Sequence, residues 1–327
     1  MTEFCFVTDT HLAANQPANR IDNYNESVLQ KIEFVCKYCN DNSVSTLVHG
    51  GDLLHSHHVK PDVLIAFADL MIKYNLDLYY VYGNHDVQGA NFDFIDKTNL
   101  GLISRYPWFH ELNERIEHFD DCVLSGYNYT VNRKETYFPF PDTGHTFAGR
   151  KVLHTKKKIL VLHANIYDVA NENPMIEKIG VRNNEIETDA DLVLCGHTHY
   201  GWEKGVKCDG TIIINPGSIA RVKYDEHTNG FGPRLVHIKV DKEIEYQFVQ
   251  IPVNPAFDET KYKVAKKVKE RRSKFLDTFK ELSYSNIDVA PELTEFIEHP
   301  PNEVKEYMTP IIKGLCFDYL HRARGDL

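Results

Sequence analysis

Five short apolar runs in this chain each stop abruptly at a polar cluster, and that repetition limits the fold more than any other feature. Phe4 to Thr8 leads into Asp9-Thr10-His11, and Thr46 to His49 leads into Gly50-Gly51-Asp52. Leu78 to Tyr82 leads into Gly83-Asn84-His85-Asp86, Ile159 to Leu162 into His163, and Leu192 to Cys195 into Gly196-His197-Thr198-His199. Runs this short, with little polar alternation, read as strands buried on both faces. The polar residues then collect at strand C-terminal ends, where open α/β sheets assemble their sites.

Helical patterns separate the first three runs. An amphipathic stretch follows the loop Ile21 to Asn25 and reaches about Asn40, and a second starts at Pro61, a residue suited to a first helical turn, with Val63, Leu64, Phe67, Leu70 and Met71 inward. Strand–helix–strand alternation predicts right-handed βαβ units and a parallel sheet in this half. Further strands are predicted at Cys122 to Tyr127, Thr211 to Ile214, Arg234 to Val240 and Ile244 to Ile251, the last two antiparallel. Residues 132 to 158, rich in Pro, Gly, Thr and Lys, read as surface loops. Near residue 255 the character changes. Residues 258 to 282 read as a basic helix carrying Lys266, Lys267 and Arg271, and breaks at Pro291 and Pro300-Pro301 precede a last amphipathic segment containing Val304, Met308, Ile311 and Leu315. The expected domains are therefore 1–255 and a helical 256–327.

A formal charge of -10 argues against indiscriminate nucleic-acid binding through bulk charge but leaves room for a local basic surface. The seven cysteines are odd in number and scattered, which suits a reducing compartment, and Cys36 and Cys39 fall on an apolar helix face as buried thiols. No apolar run approaches a membrane span and no long signal-type segment opens the chain, so the expected location is cytoplasmic, without a membrane partner.

The strand ends pool Asp9, His11, Asp52, Asn84, His85, His163, His197 and His199. Imidazoles mixed with carboxylates suit borderline divalent ions such as Mn, Fe or Zn. Eight such groups exceed one tetrahedral site and fit two ions sharing a bridging ligand, an arrangement that clamps and hydrolyses phosphoryl groups. His55 is placed to support the site from behind, and His57 and His58 read as loop residues.

D-x-H (Asp9, His11), G-D (Gly51, Asp52), G-N-H-D (Gly83 to Asp86), the strand-end His163 and G-H-x-H (Gly196 to His199) occur in the order found in calcineurin-like metallophosphoesterases, and over residues 1 to about 251 the chain resembles that superfamily. The resemblance implies an α/β fold of four layers, a β-sandwich flanked by helices, followed here by a small helical C-terminal section. It also implies two divalent metals, taken as Mn with Fe or Zn as alternatives. Asp9, His11 and His199 would hold one, Asn84, His163 and His197 the other, and Asp52 would bridge them. Asn84 brings a neutral oxygen that keeps the centre positive, His85 is suited to protonate the leaving oxygen, and Asp86 to orient its ring. The nucleophile would be a metal-bound hydroxide, so no Ser or Cys nucleophile is needed.

Two stretches resemble the SbcD-type DNA repair nucleases within the superfamily: Gly51-Asp52-Leu53-Leu54-His55 before Pro61, and Asn215-Pro216-Gly217-Ser218-Ile219-Ala220-Arg221. That resemblance implies DNA phosphodiester hydrolysis, with Arg221 and the basic residues Lys266, Lys267 and Arg271 as substrate contacts. It also implies an SbcC-like ATPase partner at the C-terminal helices, and it leaves a homodimer open. The competing expectations are a phosphodiesterase or phosphatase for a small molecule or phosphoprotein, and a non-enzymatic metal-dependent scaffold.

Overall fold

The computed structural model describes residues 1–17, 20–129, 135–141, 156–168, 180–223, 231–253, 256–257, 260 and 297–299. The chain divides into two units, Met1–Phe257 and Asp258–Leu327, and nearly all described residues belong to the first.

Two sheets form its centre. The first contains β1 (Thr2–Val7), β2 (Thr46–His49), β3 (Asp77–Tyr80), β4 (Phe109–Glu111), β13 (Arg234–Val240) and β14 (Ile244–Gln250) in the order β14-β13-β1-β2-β3-β4. The second contains β5 (Glu117–His118), β6 (Cys122–Tyr127), β7 (Lys157–Ala164), β10 (Leu192–His197), β11 (Val206–Cys208) and β12 (Thr211–Ile214) in the order β11-β12-β10-β7-β6-β5. A small pair, β8 (Ile166–Tyr167) and β9 (Val181–Arg182), stands apart from both sheets. Strands β1 to β4 are parallel, as the intervening helices require, and β13 and β14 close that sheet antiparallel. The core of the second sheet, β12-β10-β7-β6, is parallel too.

Period-two side-chain alternation sorts these strands into layers. In β1, Phe4 and Phe6 enter the space between the sheets, while Cys5 and Val7 face the helices. In β7 and β10, Ile159, Val161, Leu192 and Leu194 point inward, and Leu160, Leu162, Val193 and Cys195 point to the outer face. Each such fully buried aliphatic or aromatic side chain contributes about 1.5–3 kcal/mol. Helix α1 (Tyr24–Asp41) buries Val28, Ile32, Val35, Cys36 and Cys39, and α2 (Pro61–Lys73) buries Val63, Leu64, Phe67, Ala68 and Met71. Both cover the outer face of the first sheet. Asn23 caps α1 by accepting from the Glu26 N–H at 3.4 Å, and Pro61 starts α2 without a side-chain cap. A one-turn α3 (Asn99–Ile103) follows β3.

The expected α/β sandwich of two sheets flanked by helices is present, with α1 and α2 on the first sheet among the described residues. Two details differ from expectation. Pairing in β3 stops at Tyr80, because the Tyr82 N–H turns to the Asn128 side chain at 2.8 Å instead of continuing the ladder. Part of the segment expected to be surface loop is core: Phe138 and Phe140 are buried against the second sheet, and the Tyr127 hydroxyl donates to the Pro139 carbonyl at 2.7 Å. Two aromatic residues outweigh the flanking prolines there. The C-terminal segment expected to be helical, with Lys266, Lys267 and Arg271, lies outside the described residues.

Candidate metal centre

The loops that leave β1, β2, β3, β7 and β10 meet at one end of the sandwich. Backbone bonds lace the first two together: Asp9 N–H to the Gly51 carbonyl at 3.1 Å, His11 to Asp52 at 3.0 Å, and Leu12 to Leu53 at 2.8 Å. The turns are tight enough to force left-handed backbone on Asp9 (φ 54°), His11 (44°), Asp52 (54°) and His197 (81°). Such conformations cost free energy outside glycine and persist where surrounding structure imposes them. The sheets approach closely at Gly50 and Gly196, where a Cβ on Gly196 would fall 2.2 Å from the Gly50 carbonyl oxygen.

Each site carboxylate has one anchored oxygen and one free. Asp9 Oδ2 accepts from the Thr8 hydroxyl at 2.6 Å and the His197 N–H at 3.0 Å, while Asp9 Oδ1 has no hydrogen-bond partner. Asp52 Oδ1 accepts from the His85 N–H at 2.9 Å, while Asp52 Oδ2 has none. The buried Asn84 Oδ1 is likewise unpartnered. Imidazole nitrogens converge on the two carboxylate oxygens. His199 Nε2 lies 3.5 Å and His11 Nε2 3.7 Å from Asp9 Oδ1, and His163 Nε2 lies 3.3 Å from Asp52 Oδ2. His11 Nε2 is also 3.7 Å from Asp52 Oδ2, so that oxygen stands between two groups of ligands. The rings crowd each other as well, with His11 Nε2 to His199 Nε2 at 3.0 Å and His197 Nδ1 to His163 Nε2 at 3.1 Å.

Two sets, Asp9-His11-His199 and Asp52-His163-His197, each place their ligand atoms within 4.8 Å of one another. Buried unpaired carboxylate oxygens are costly unless a cation meets them, and converging bare ring nitrogens need the same partner. The residues therefore fit two divalent ions. His163 is held as metal-binding histidines usually are: its Nδ1–H donates to the Gly50 carbonyl at 2.6 Å, which turns Nε2 toward the site. A third group, His11-His55-His85, contains no carboxylate to offset a cation and shares His11 with the first.

Charge follows the same geometry. Burial alone would raise Asp9 and Asp52, yet the facing imidazoles hold both well below the usual carboxylate range. Burial likewise opposes charge on His163, but Asp52 pushes that ring up to about 9, and Asp9 raises His199. His197 lacks such a close carboxylate and burial takes it down to about 3.

His85 sits at the rim, half-buried. Its Nδ1 lies 2.9 Å from the His55 carbonyl, which can only accept, so Nδ1 carries a proton and Nε2 is the atom that can gain or give one. The His55 ring stacks on it with centroids 5.2 Å apart, and His55 Nδ1 lies 3.4 Å from His11 Nδ1. Asp86 does not orient His85, contrary to expectation. Its Oδ1 accepts from the Leu54 N–H, and its Oδ2 from the Asp52 N–H at 3.0 Å, the Gly83 N–H at 2.8 Å and the Tyr80 hydroxyl. Adjacent side chains in this turn diverge, and the fully buried Asp86 fastens the Asp52 loop to the third strand. Burial and the Asp52 charge push its carboxyl up to about 7, while four donors favour the ionised form.

The sequence pattern did not single out Thr8, Tyr80, Asp86 as a brace, or His49. The His49 imidazole, lowered to about 3 by burial, accepts the Gly51 N–H at 3.1 Å and stacks on Tyr80. Arg221 lines a small cleft with His199, Gly201, Ser218, Ala220, Phe231 and Gly232. Its loop is tied to the first strand by the Ile219 and Ala220 N–H groups, which donate to the Thr8 and Asp9 carbonyls at 3.1 Å, and by the Ser218 hydroxyl to the Asp9 carbonyl at 2.8 Å. His57 and His58 take no part in the centre.

Among the described residues no helix is long and apolar enough to cross a membrane. No curated protein matches the sequence. Three solved structures illustrate the overall likeness. The protein TT1561 of Thermus thermophilus is 13% identical with a TM-score of 0.43, covering 76% of this chain and 99% of that one. A dimetal phosphatase from Danio rerio is 10% identical with a TM-score of 0.45, covering 78% and 98%. The sulfate thiohydrolase SoxB of Thermus thermophilus, in complex with glycerol, is 12% identical with a TM-score of 0.39, covering 83% and 61%. Substrate does not follow from likenesses this distant. The family is settled by the calcineurin-like phosphoesterase superfamily domain, whose pattern matches residues 3–232 and so takes in every strand end of the centre: the chain belongs to that superfamily.

Proposed function

We propose that this chain is a dinuclear metal-dependent phosphodiesterase that hydrolyses DNA, similar to the SbcD-type repair nucleases. The observation that carries the catalytic reading is the pair of buried, unpartnered carboxylate oxygens, Asp9 Oδ1 and Asp52 Oδ2, grouped with the ring nitrogens of His11, His199, His163 and His197, with the buried Asn84 Oδ1 likewise unpartnered. Asp9, His11 and His199 would hold one ion, Asn84, His163 and His197 the other, and Asp52 both. Manganese is the proposed metal, with iron or zinc suited to the same donors. When bound, such ions activate water and neutralise charge on the phosphoryl oxygens. The protein's own part is proton handling and positioning. With Nδ1 committed to the His55 carbonyl, His85 presents Nε2–H to the leaving oxygen, and Asn84 adds an oxygen ligand without adding negative charge.

The DNA reading is supported by the two SbcD-like stretches and by the position of Arg221 in a cleft that includes His199. The basic residues Lys266, Lys267 and Arg271 are proposed DNA contacts, and the last helical segment a surface for an SbcC-like ATPase. A cytoplasmic location suits the six described cysteines, all free thiols. The test is hydrolysis of linear duplex, circular single-stranded DNA and an aryl phosphodiester by protein stripped with chelator and reloaded with Mn²⁺. DNA cleavage is expected, with His85→Ala losing about 10²–10⁴-fold in rate at undiminished metal content. Turnover of the aryl ester with DNA untouched would transfer the reading to a small molecule or phosphoprotein.

A further inference from the structure

We propose that Tyr129, just past the end of β6, is a positioning residue for the second metal site: its ring sets the orientation of the His197 imidazole. The role rests on the two-ion reading above and adds a residue that lies outside all five strand-end motifs. The two imidazoles of that site are held unequally. His163 bonds through Nδ1 to the Gly50 carbonyl at 2.6 Å, so its Nε2 faces the site. His197 turns Nδ1 inward, 3.1 Å from His163 Nε2, and its outer nitrogen Nε2 meets no carbonyl or carboxylate among the described residues. The His197 main-chain N–H donates to Asp9 Oδ2 at 3.0 Å, which fixes the backbone but not the rotation of the ring.

Tyr129 supplies the missing restraint. Its ring centroid lies 5.1 Å from that of His197 with the planes at 45°, and 6.1 Å from that of His163 with the planes at 70°. Both separations fall in the range of roughly 4.5–7 Å in which tilted and edge-on rings attract. A flat wall of this kind limits rotation of the imidazole without competing for its nitrogens. The His11 and His199 rings of the first site meet one another, and His11 also meets His55 and His85, but neither meets Tyr129. The wall is anchored to the opposite sheet. The Tyr129 N–H donates to the Tyr82 carbonyl at 2.9 Å, and the Tyr82 N–H donates to Asn128 Oδ1 at 2.8 Å. The Asn128 N–H is held in turn by Asn113 Oδ1 at 2.9 Å. Although β6 belongs to the second sheet, a Cβ on Gly126 would fall 2.4 Å from Val81 Cγ1, so its end runs hard against the chain that leads to Asn84. The pair Asn128-Tyr129 is therefore a strut across the second site, bonded to the approach to Asn84 on one side and packed on His197 and His163 on the other.

The experiment titrates chelator-stripped full-length protein with Mn²⁺ and reads the free ion by electron paramagnetic resonance, so binding is measured without substrate. His199→Ala removes a ligand of the first site and leaves the second to be read, and His197→Ala does the reverse. Added to His199→Ala, Tyr129→Ala is expected to raise the Kd of the remaining ion about 10- to 100-fold, and added to His197→Ala to leave it unchanged. Tyr129→Phe keeps the ring and is expected to leave both values unchanged. Equal weakening in the two backgrounds, weakening in neither, or a loss in Tyr129→Phe as large as in Tyr129→Ala overturns the positioning role alone. A wild-type protein that binds fewer than two Mn²⁺ per chain at saturation overturns the two-ion reading beneath it.

Discussion

The two sheets supply the metal centre in unlike ways. The first sheet provides Asp9, His11, Asp52 and Asn84 from loops laced to one another by backbone bonds and braced by Asp86. The second provides His163, His197 and His199, with the His163 ring fixed by one bond that crosses to the Gly50 carbonyl of the first sheet. Asp52 is thus anchored within its own layer, Asp9 also accepts from the His197 N–H across the layers, and the three imidazoles of the second sheet depend on how the layers dock. Negative charge packed into a buried space needs firm anchoring, since any slack would be taken up by protonation or collapse.

Several substitutions would break or sharpen this contrast. Asp52→Asn should have the largest effect, abolishing metal-dependent turnover and lowering the ions bound per chain in elemental analysis, because its Oδ2 stands between both ligand sets. Asp86→Ala strips the acceptor from three buried N–H groups and a hydroxyl, so urea unfolding should show a loss of at least about 3 kcal/mol, with activity falling alongside. Equal stability in that variant would place the rigidity of the first layer elsewhere. Gly196→Ala tests the seam between layers. Its methyl group would meet the Gly50 carbonyl and the Thr8 hydroxyl at 2.2 Å, costing about 1–3 kcal/mol, and activity should fall by more than stability predicts if the imidazoles depend on docking.

The last effect appears only on changing pH and concerns Lys31, which is buried in α1 and donates to the Ile219 carbonyl at 3.1 Å. Burial, with Arg20 and Arg221 nearby and only Asp22 opposing them, lowers its pKa to about 8. A folded pKa below the unfolded value of 10.5 means the charged lysine weakens the fold below about pH 8, and the penalty is relieved as pH rises toward 10.5. Stability of the wild type relative to Lys31→Met should therefore climb across that window in chemical unfolding, and a flat difference would refute the assignment.

The strand ends were legible because buried parallel strands announce themselves as apolar runs, and the first polar residue after each must face the end of the sheet. The layers were less legible, since which side of β7 or β10 faces inward depends on its neighbours. Asp86 illustrates the limit. Adjacent to His85 in the chain, it suggested a partnership, but its carboxylate points back to Tyr80 and the Asp52 loop. His55, by contrast, holds His85 through a main-chain carbonyl, a group every residue carries and no motif can mark.

The pairing of β1 with β13 has a consequence in time. Thr2 lies opposite Val240, and the strand bearing Asp9 and His11 borders β2 on one side and β13 on the other. A ribosome delivers β1 first, yet one edge of that strand stays open until more than two hundred further residues have emerged. Over the same interval His163, His197 and His199 arrive one after another. The carboxylates thus wait, unneutralised, for partners made much later, and contacts so distant in sequence form slowly. The centre is among the last features a nascent chain can complete, so metal capture reports the end of folding rather than its beginning.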